Sequence, residues 1–430
     1  MKFEQTTLPT PARVPAPAVP PAPAGVAAEA AAAAEPASPP SSGQNLPVGY
    51  LRAFITALVV GHHAVIAYNP FIPKTSPGPL NGPSQWWRAF PVVDSQRWAG
   101  FGLFNTFNDM FFMALMFFLS GLFVHASLGR KGSGAYLRDR ALRLGLPFVV
   151  AAGVVAPLAY YPAYLQGGGV GLAGFWRQWL ALDGWPAGPA WFVWVLLAFG
   201  AVAAALSRLA PRWTEALGRL ASGARSRPVV FCSLLVGVSA VVYVPMALIF
   251  TPFAWASFGP FTFQTSRLLF YFVYFLAGVG VGAWGLERGL LAADGRLARR
   301  WGRWSTACAT IFVLTMVVVV AALSQGGRSR GLEIGGDLAF VGFCAVSSFC
   351  FLALFARFAT KRSRALDSLR DNAYGIYLVH YAFVTWLQLA LLGAPLPGFV
   401  KGVVAFLGAL ALSWGTVAAL RRIPGVARVV

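Results

Sequence analysis

The sequence predicts an all-α integral membrane protein: about ten transmembrane helices in one bundle, with both termini cytoplasmic. Three observations carry the prediction. Hydrophobic residues make up 57% of the chain and charged residues 11%, against about 25% charged in an average soluble domain. The apolar residues fall into ten segments of roughly the 20 residues that a helix needs to cross a bilayer core. The charge is lopsided, +20 from 34 Lys and Arg against 14 Asp and Glu, and the cations collect in alternate intervals between apolar segments.

Residues 1–47 are rich in Pro and Ala and hold no apolar core, which predicts a disordered cytoplasmic tail. They lack the basic and apolar regions of a secretory signal. A membrane domain over 48–420 follows, with spans expected at 49–68, 100–127, 141–163, 188–209, 228–250, 265–285, 303–324, 335–358, 371–392 and 397–419. The second is overlong, so it is expected to tilt or to run partly along the interface. The sixth carries Gly278-Val-Gly-Val-Gly282, which permits close helix approach. The seventh is uncharged from Trp304 to Ser324 and is expected to face lipid. Only Gly393-Ala-Pro-Leu-Pro separates the last two, which must form a tight hairpin. Residues 421–430 are a short basic cytoplasmic tail.

Charge placement sets the orientation. With the N-terminus inside, 26 Lys and Arg fall on the cytoplasmic side and 8 on the other, the bias of the positive-inside rule. Divided among loops and tails in this way, the charge argues against a nucleic-acid-binding surface. Trp86, Trp87, Trp98, Trp176, Trp179 and Trp185 lie in the two external loops, as an interfacial aromatic belt would. Cys232, Cys308, Cys344 and Cys350 sit in apolar stretches without metal-ligand spacing and are expected to be small buried hydrophobes.

Ionisable groups inside spans are costly and are therefore functional candidates. All four histidines, His62, His63, His125 and His380, fall in or at apolar segments. Arg52 and His63 are eleven residues apart, about three turns, so they share a helix face about 16 Å apart. A cation at the cytoplasmic mouth and an imidazole deep on the same line suit an elongated anionic donor. His62 points about 100° away from His63. Arg140 and Arg143 are neighbours at i,i+3 at the start of the third span. They suit bidentate contacts with phosphate, although Asp139 and Arg143 also have ion-pair spacing. Asn108 and Asp109 lie near the depth of His63, and either is a candidate to orient its imidazole; the alternative is that Asp109 caps a helix broken within that long segment. His125 is expected at the cytoplasmic interface. Arg267 opens the sixth span on the outer side, where it either anchors the helix or meets an acidic acceptor. No HExxH spacing, P-loop or dinucleotide-binding glycine pattern occurs, so no metal or bound nucleotide cofactor is expected.

Five features taken in order resemble the membrane acyltransferase-3 family: Arg52 with ten residues before His63; Phe117-Phe118-Leu119-Ser120-Gly121; Arg140-x-x-Arg143 followed by Pro147; Trp191-Phe192-Val-Trp194; and Ala373-Tyr374-Gly375-Ile376-Tyr377-Leu378-Val379-His380. The resemblance spans about 46–420 and leans toward the glucan-modifying branch. It departs at Gly49, where many members carry Asp. It implies a multi-pass enzyme of the cell membrane, the inner membrane in a bacterium. Such an enzyme moves an acyl group, acetyl or succinyl first, from cytosolic acyl-CoA to a hydroxyl of an extracytoplasmic glycan or lipid-linked carbohydrate. Acyl-CoA is then a substrate and no cofactor is permanently bound. On this reading Arg52, Arg140 and Arg143 meet the donor. His63 is general base or covalent acyl relay, with Asp109 and His380 as catalytic partners. Tyr374, Tyr377, Ser120 and Trp191 are candidates to bind acceptor or stabilise an oxyanion. The rival reading is a secondary transporter or exporter, which shares the spans, the buried His and Asp and the Arg-lined mouth. Paired repeats with broken helices, which a transporter of common design shows, are not evident.

Overall fold

A computed structural model of the chain describes residues 45–73, 78–82, 85–324 and 329–429. The predicted tail, as far as Gln44, lies outside the described residues. The first helix, α1 (Leu46–Ile66), starts two residues inside the expected tail because Asn45 caps it, its side chain accepting from the Val48 amide at 3.3 Å. After α1 come α2 (Ala99–Asp109), α3 (Phe112–Gly121), α4 (Val124–Gln166), α5 (Leu172–Leu180), α6 (Trp191–Leu209), α7 (Trp213–Ala221) and α8 (Pro228–Phe250). A two-stranded hairpin, β1 (Trp255–Phe258) and β2 (Phe261–Gln264), precedes α9 (Leu268–Trp284), α10 (Trp301–Ser324), α11 (Arg330–Phe358), α12 (Arg364–Leu391) and α13 (Gly398–Leu420). Among the described residues nine segments are long and apolar enough to cross a membrane, and α9 is a shorter apolar helix of 17 residues. The protein is an all-α multispan membrane protein, and the ten expected spans map onto these ten.

The departures have local causes. The overlong second span is broken rather than simply tilted: α2 stops at Asp109 and Phe111 takes φ −135 before α3 begins. α4 runs through the expected loop but bends at Gly132, whose φ of 70 and ψ of 165 suit only glycine. Lys131 and Asp139 meet at 3.0 Å across that bend, whereas eight residues of straight helix rise about 12 Å. Further on, α4 loosens into π-helical turns at Ala141–Gly145 and Ala151–Val155. Each precedes a proline, Pro147 or Pro157, whose ring removes one amide and crowds the carbonyl four residues back. Side chains from α12 reach two of the carbonyls left over: Tyr374 donates to the Arg143 carbonyl at 2.8 Å, and Trp386 donates to the Leu158 carbonyl, four residues before Pro162, at 3.0 Å.

The glycine stripe of α9 does what its spacing implied. A Cβ at Gly278 would lie 2.0 Å from the Phe118 carbonyl oxygen and one at Gly282 1.9 Å from that of Leu122, so α9 meets α3 backbone to backbone. α10 has few buried residues along its length, as expected of a lipid-facing helix. The four cysteines are free and buried. The tryptophans form a belt only in part. Trp86, Trp98, Trp176 and Trp185 are exposed, but Trp87 and Trp179 are fully buried with Leu80, Tyr160, Tyr164 and Phe175 in a small core of their own. The loops after α1 and α4 therefore fold into a cap. A buried pair fastens it, with Lys401 and Asp94 each 1% exposed and 2.8 Å apart. At the centre of the bundle stands α1, packed by α2, α3, α11, α12 and α13.

Candidate active site

The central helix places three of the expected residues on its length: Arg52 is exposed, and His62 and His63 are half-buried ten and eleven residues further along. The second helix of the site is α12, which lies beside α1 and brings His380 to His63. His63 Nδ1 lies 2.8 Å from the Val59 carbonyl, and His380 Nδ1 lies 2.7 Å from the Tyr377 carbonyl. A carbonyl only accepts, so in the neutral rings both Nδ1 atoms carry the proton. His380 Nε2 is then a bare lone pair, and it lies 3.3 Å from His63 Nδ1. The His63 Nδ1–H is shared between Val59 and His380, and His63 Nε2 is left unprotonated. His380 is fully buried, so the tautomer is set from the inside while the basic nitrogen remains on the half-exposed ring. The Tyr381 ring stands edge-on to His63 at 5.1 Å. Gln388, one face along on α12, donates to the His63 and Ala64 carbonyls at 2.8 and 3.0 Å.

His62 faces elsewhere, as its 100° offset requires. Its ring lies 5.3 Å from Phe112 and 5.3 Å from His63. Its carbonyl accepts from Asn105 at 2.9 Å. Asp109 does not orient His63. The break after α2 turns Asp109 toward Arg267, which donates to its Oδ2 at 2.8 Å and to its carbonyl at 3.2 Å. Arg267 does not sit at an outer interface either. It precedes the short helix α9, and its guanidinium is buried, 4.7 Å over the Phe340 ring.

At the other end of α1, Arg52 comes within electrostatic reach of Arg140 on α4. Among the described residues neither has an acidic partner at ion-pair distance; Arg140 lies over the Tyr136 ring at 5.2 Å. Arg143 is less free, since Asp139 holds it at 3.2 Å in the i,i+4 pair and also binds Lys131. At Gly49 the Arg370 side chain fills the space where a side chain would go, and Arg370 pairs with Asp367 and Asp371 at 2.9 Å each.

The remaining candidates are occupied or elsewhere. Ser120 donates to the Met116 carbonyl of its own helix at 2.8 Å, which takes its proton away from any oxyanion. Tyr374 donates to the Arg143 carbonyl at the Arg52 end, and Tyr377 donates to the Pro189 carbonyl. Neither hydroxyl proton is left for an oxyanion. Trp191 packs among Phe117, Phe192, Trp255 and Tyr271 rather than against the histidines. His125 bonds Thr214 of α7 at 2.9 Å. Gln388 was the residue that sequence reasoning missed. Its signal was available, because a primary amide inside a span needs partners as a charge does.

Fold and site together define a multi-pass membrane protein with two contacting histidines inside its helical bundle. A family model described as an acyltransferase domain matches residues 48–418. The chain belongs to the acyltransferase-3 family and is a membrane-bound O-acyltransferase. No curated protein matches it, and no solved structure does.

Proposed function

We propose that the enzyme takes an acyl group from acyl-CoA on the cytosolic side of a cell membrane and passes it to a hydroxyl of an extracytoplasmic carbohydrate or glycolipid. The observation that carries the reading is that His63, on the same helix as Arg52, pairs with His380 of α12. Two guanidiniums without acids, those of Arg52 and Arg140, suit the phosphates of the donor through charge-assisted bonds. Arg143 joins them by exchanging Asp139 for phosphate. Over the eleven residues to His63 the helix rises about 16 Å, which leaves room for an extended thioester arm. His63 Nε2 takes the proton of the acceptor hydroxyl as its oxygen attacks the thioester carbonyl. The C–O bond forms, the C–S bond breaks, and the CoA thiolate leaves. His380 acts through His63, holding the tautomer that keeps Nε2 basic.

The test uses purified protein with acetyl-CoA and follows thiol release together with ester formation by mass spectrometry. His63→Ala is expected to lower transfer at least about 100-fold, the low end of general-base contributions, with membrane insertion unchanged. Arg140→Ala is expected to raise the donor KM. Full activity in His63→Ala removes His63 as base.

A further inference from the structure

The second polar cluster, around Asp109, takes no part in this mechanism. Asp109 lies midway along the segment Ala99–Gly121, yet its side chain is 48% exposed while that of its partner Arg267 is 4% exposed. A half-exposed carboxylate at that depth is costly against lipid, and one facing an opening that admits water avoids that cost. Its Oδ2 is held by Arg267, and its Oδ1 has no protein partner among the described residues. Two polar atoms of neighbouring residues are buried without a partner: Nδ1 of His62, which is within electrostatic reach of Asp109, and the side-chain amide nitrogen of Asn108, the preceding residue and 1% exposed. Unpartnered buried groups of this kind are uncommon in a folded chain and costly to leave unsatisfied.

We infer that Asp109, His62 and Asn108 form the acceptor subsite of this enzyme, and that it takes an uncharged polyol. The inference rests on the acyl-transfer reading above. A carboxylate oxygen, an imidazole and an amide N–H supply both acceptors and donors, and each hydroxyl of a polyol both donates and accepts. Phe112, 5.3 Å from His62, gives one apolar wall. The His62 ring is 5.3 Å from that of His63, so a hydroxyl held here lies beside the proposed base. An anionic acceptor fits poorly. It would meet the open Asp109 oxygen as a like charge, and the Arg267 guanidinium is buried and committed to Asp109 rather than offered to a ligand. The same commitment makes Arg267 a positioning residue: it fixes the carboxylate at the broken end of α2.

Glycerol and glycerate serve as minimal acceptors, alike in size and differing in charge, with acetyl-CoA as donor and thiol release plus ester mass as readouts. The wild type is expected to use glycerol saturably and to prefer it to glycerate by about tenfold or more, as a site built around hydroxyl bonding discriminates. Asp109→Asn is expected to raise the glycerol KM about tenfold and to narrow the preference for glycerol over glycerate to within about threefold, the scale of one lost charge-assisted bond. The acetyl-CoA KM is expected not to change, which also reports an intact fold. His62→Gln, which keeps a hydrogen-bonding side chain beside an intact Asp109–Arg267 pair, is expected to raise the glycerol KM while leaving the charge preference in place. A preference for glycerate in the wild type, an unchanged preference in Asp109→Asn, or a change confined to the donor KM overturns the subsite. Wild-type turnover no greater than that of His63→Ala on either acceptor or on water overturns the acyl-transfer reading and the subsite with it.

Discussion

At the scale of single residues, the site turns on which ring nitrogen holds a proton. Two backbone carbonyls, Val59 and Tyr377, each take an Nδ1–H, and the chain of roles ends with a lone pair on His63 Nε2. Toward His63, His380 acts as an acceptor. Replacing it with Gln preserves an accepting oxygen on a flexible side chain, whereas Ala leaves the His63 ring free to turn or change tautomer. His380→Gln is therefore expected to retain at least about tenfold more acyl transfer than His380→Ala, a part of the general-base contribution. Both variants should keep the wild-type donor KM, since the donor arginines lie at the far end of α1. Equal losses in kcat for the two would remove the tautomer-setting role and leave His380 as packing.

At the scale of elements, the helices read clearly in the sequence because their lengths and apolar content are set by the bilayer. Of the breaks, only the stop after Asp109 was legible, as the alternative to Asp109 orienting His63. The bend at Gly132 and the π-helical turns before Pro147 and Pro157 depend on which neighbour takes up a freed backbone group, and those neighbours are distant in sequence. Tyr374 and Trp386 on α12 serve carbonyls of α4, a pairing that no local pattern announces. The β1–β2 hairpin was likewise unforeseen, although Trp255-Ala-Ser-Phe and Phe261-Thr-Phe-Gln alternate across a Gly-Pro turn. In the site, Arg52, His63, Arg140 and His380 were legible because charge or imidazole inside an apolar run is conspicuous. The partner of Asp109 was not, since Arg267 is 158 residues away. The glycine stripe was the most legible packing feature, and it can be tested directly. Gly278→Ala places a methyl 2.0 Å from a backbone oxygen of α3, so α9 must move away, at a cost of about 1–3 kcal/mol for overpacking. Gly342 on α11 has open space at the same place. Thermal unfolding in detergent is expected to show a clear loss for Gly278→Ala and none for Gly342→Ala; equal effects would mean that the α3–α9 approach is not what the glycine serves.

At the scale of the whole molecule, the described segments sort into two ends, and the sorting agrees with the alternation of charge. At one end Arg370 packs on Gly49, Arg208 approaches Gly134, Arg52 is in reach of Arg140, and Trp414 near the end of α13 bonds Ser368 near the start of α12 at 3.1 Å. At the other end Val93 bonds Gln166, Lys401 pairs with Asp94, and Gly398 abuts Gln96 and Arg97. The first group comes from intervals that hold most of the 34 Lys and Arg, so the positive-inside rule predicts that group in the cytoplasm. The proposed mechanism makes the same prediction, because it needs the Arg52–Arg140 pole to meet a cytosolic donor. Reporter fusions decide it. A reporter active only outside the cytoplasm, joined within residues 69–99, is expected to be active, and one joined within 128–140 inactive, with the complementary cytoplasmic reporter giving the opposite pattern. The reversed pattern at both sites would put the arginine pole outside, and a cytosolic acyl-CoA could then not be the donor whatever the histidines do.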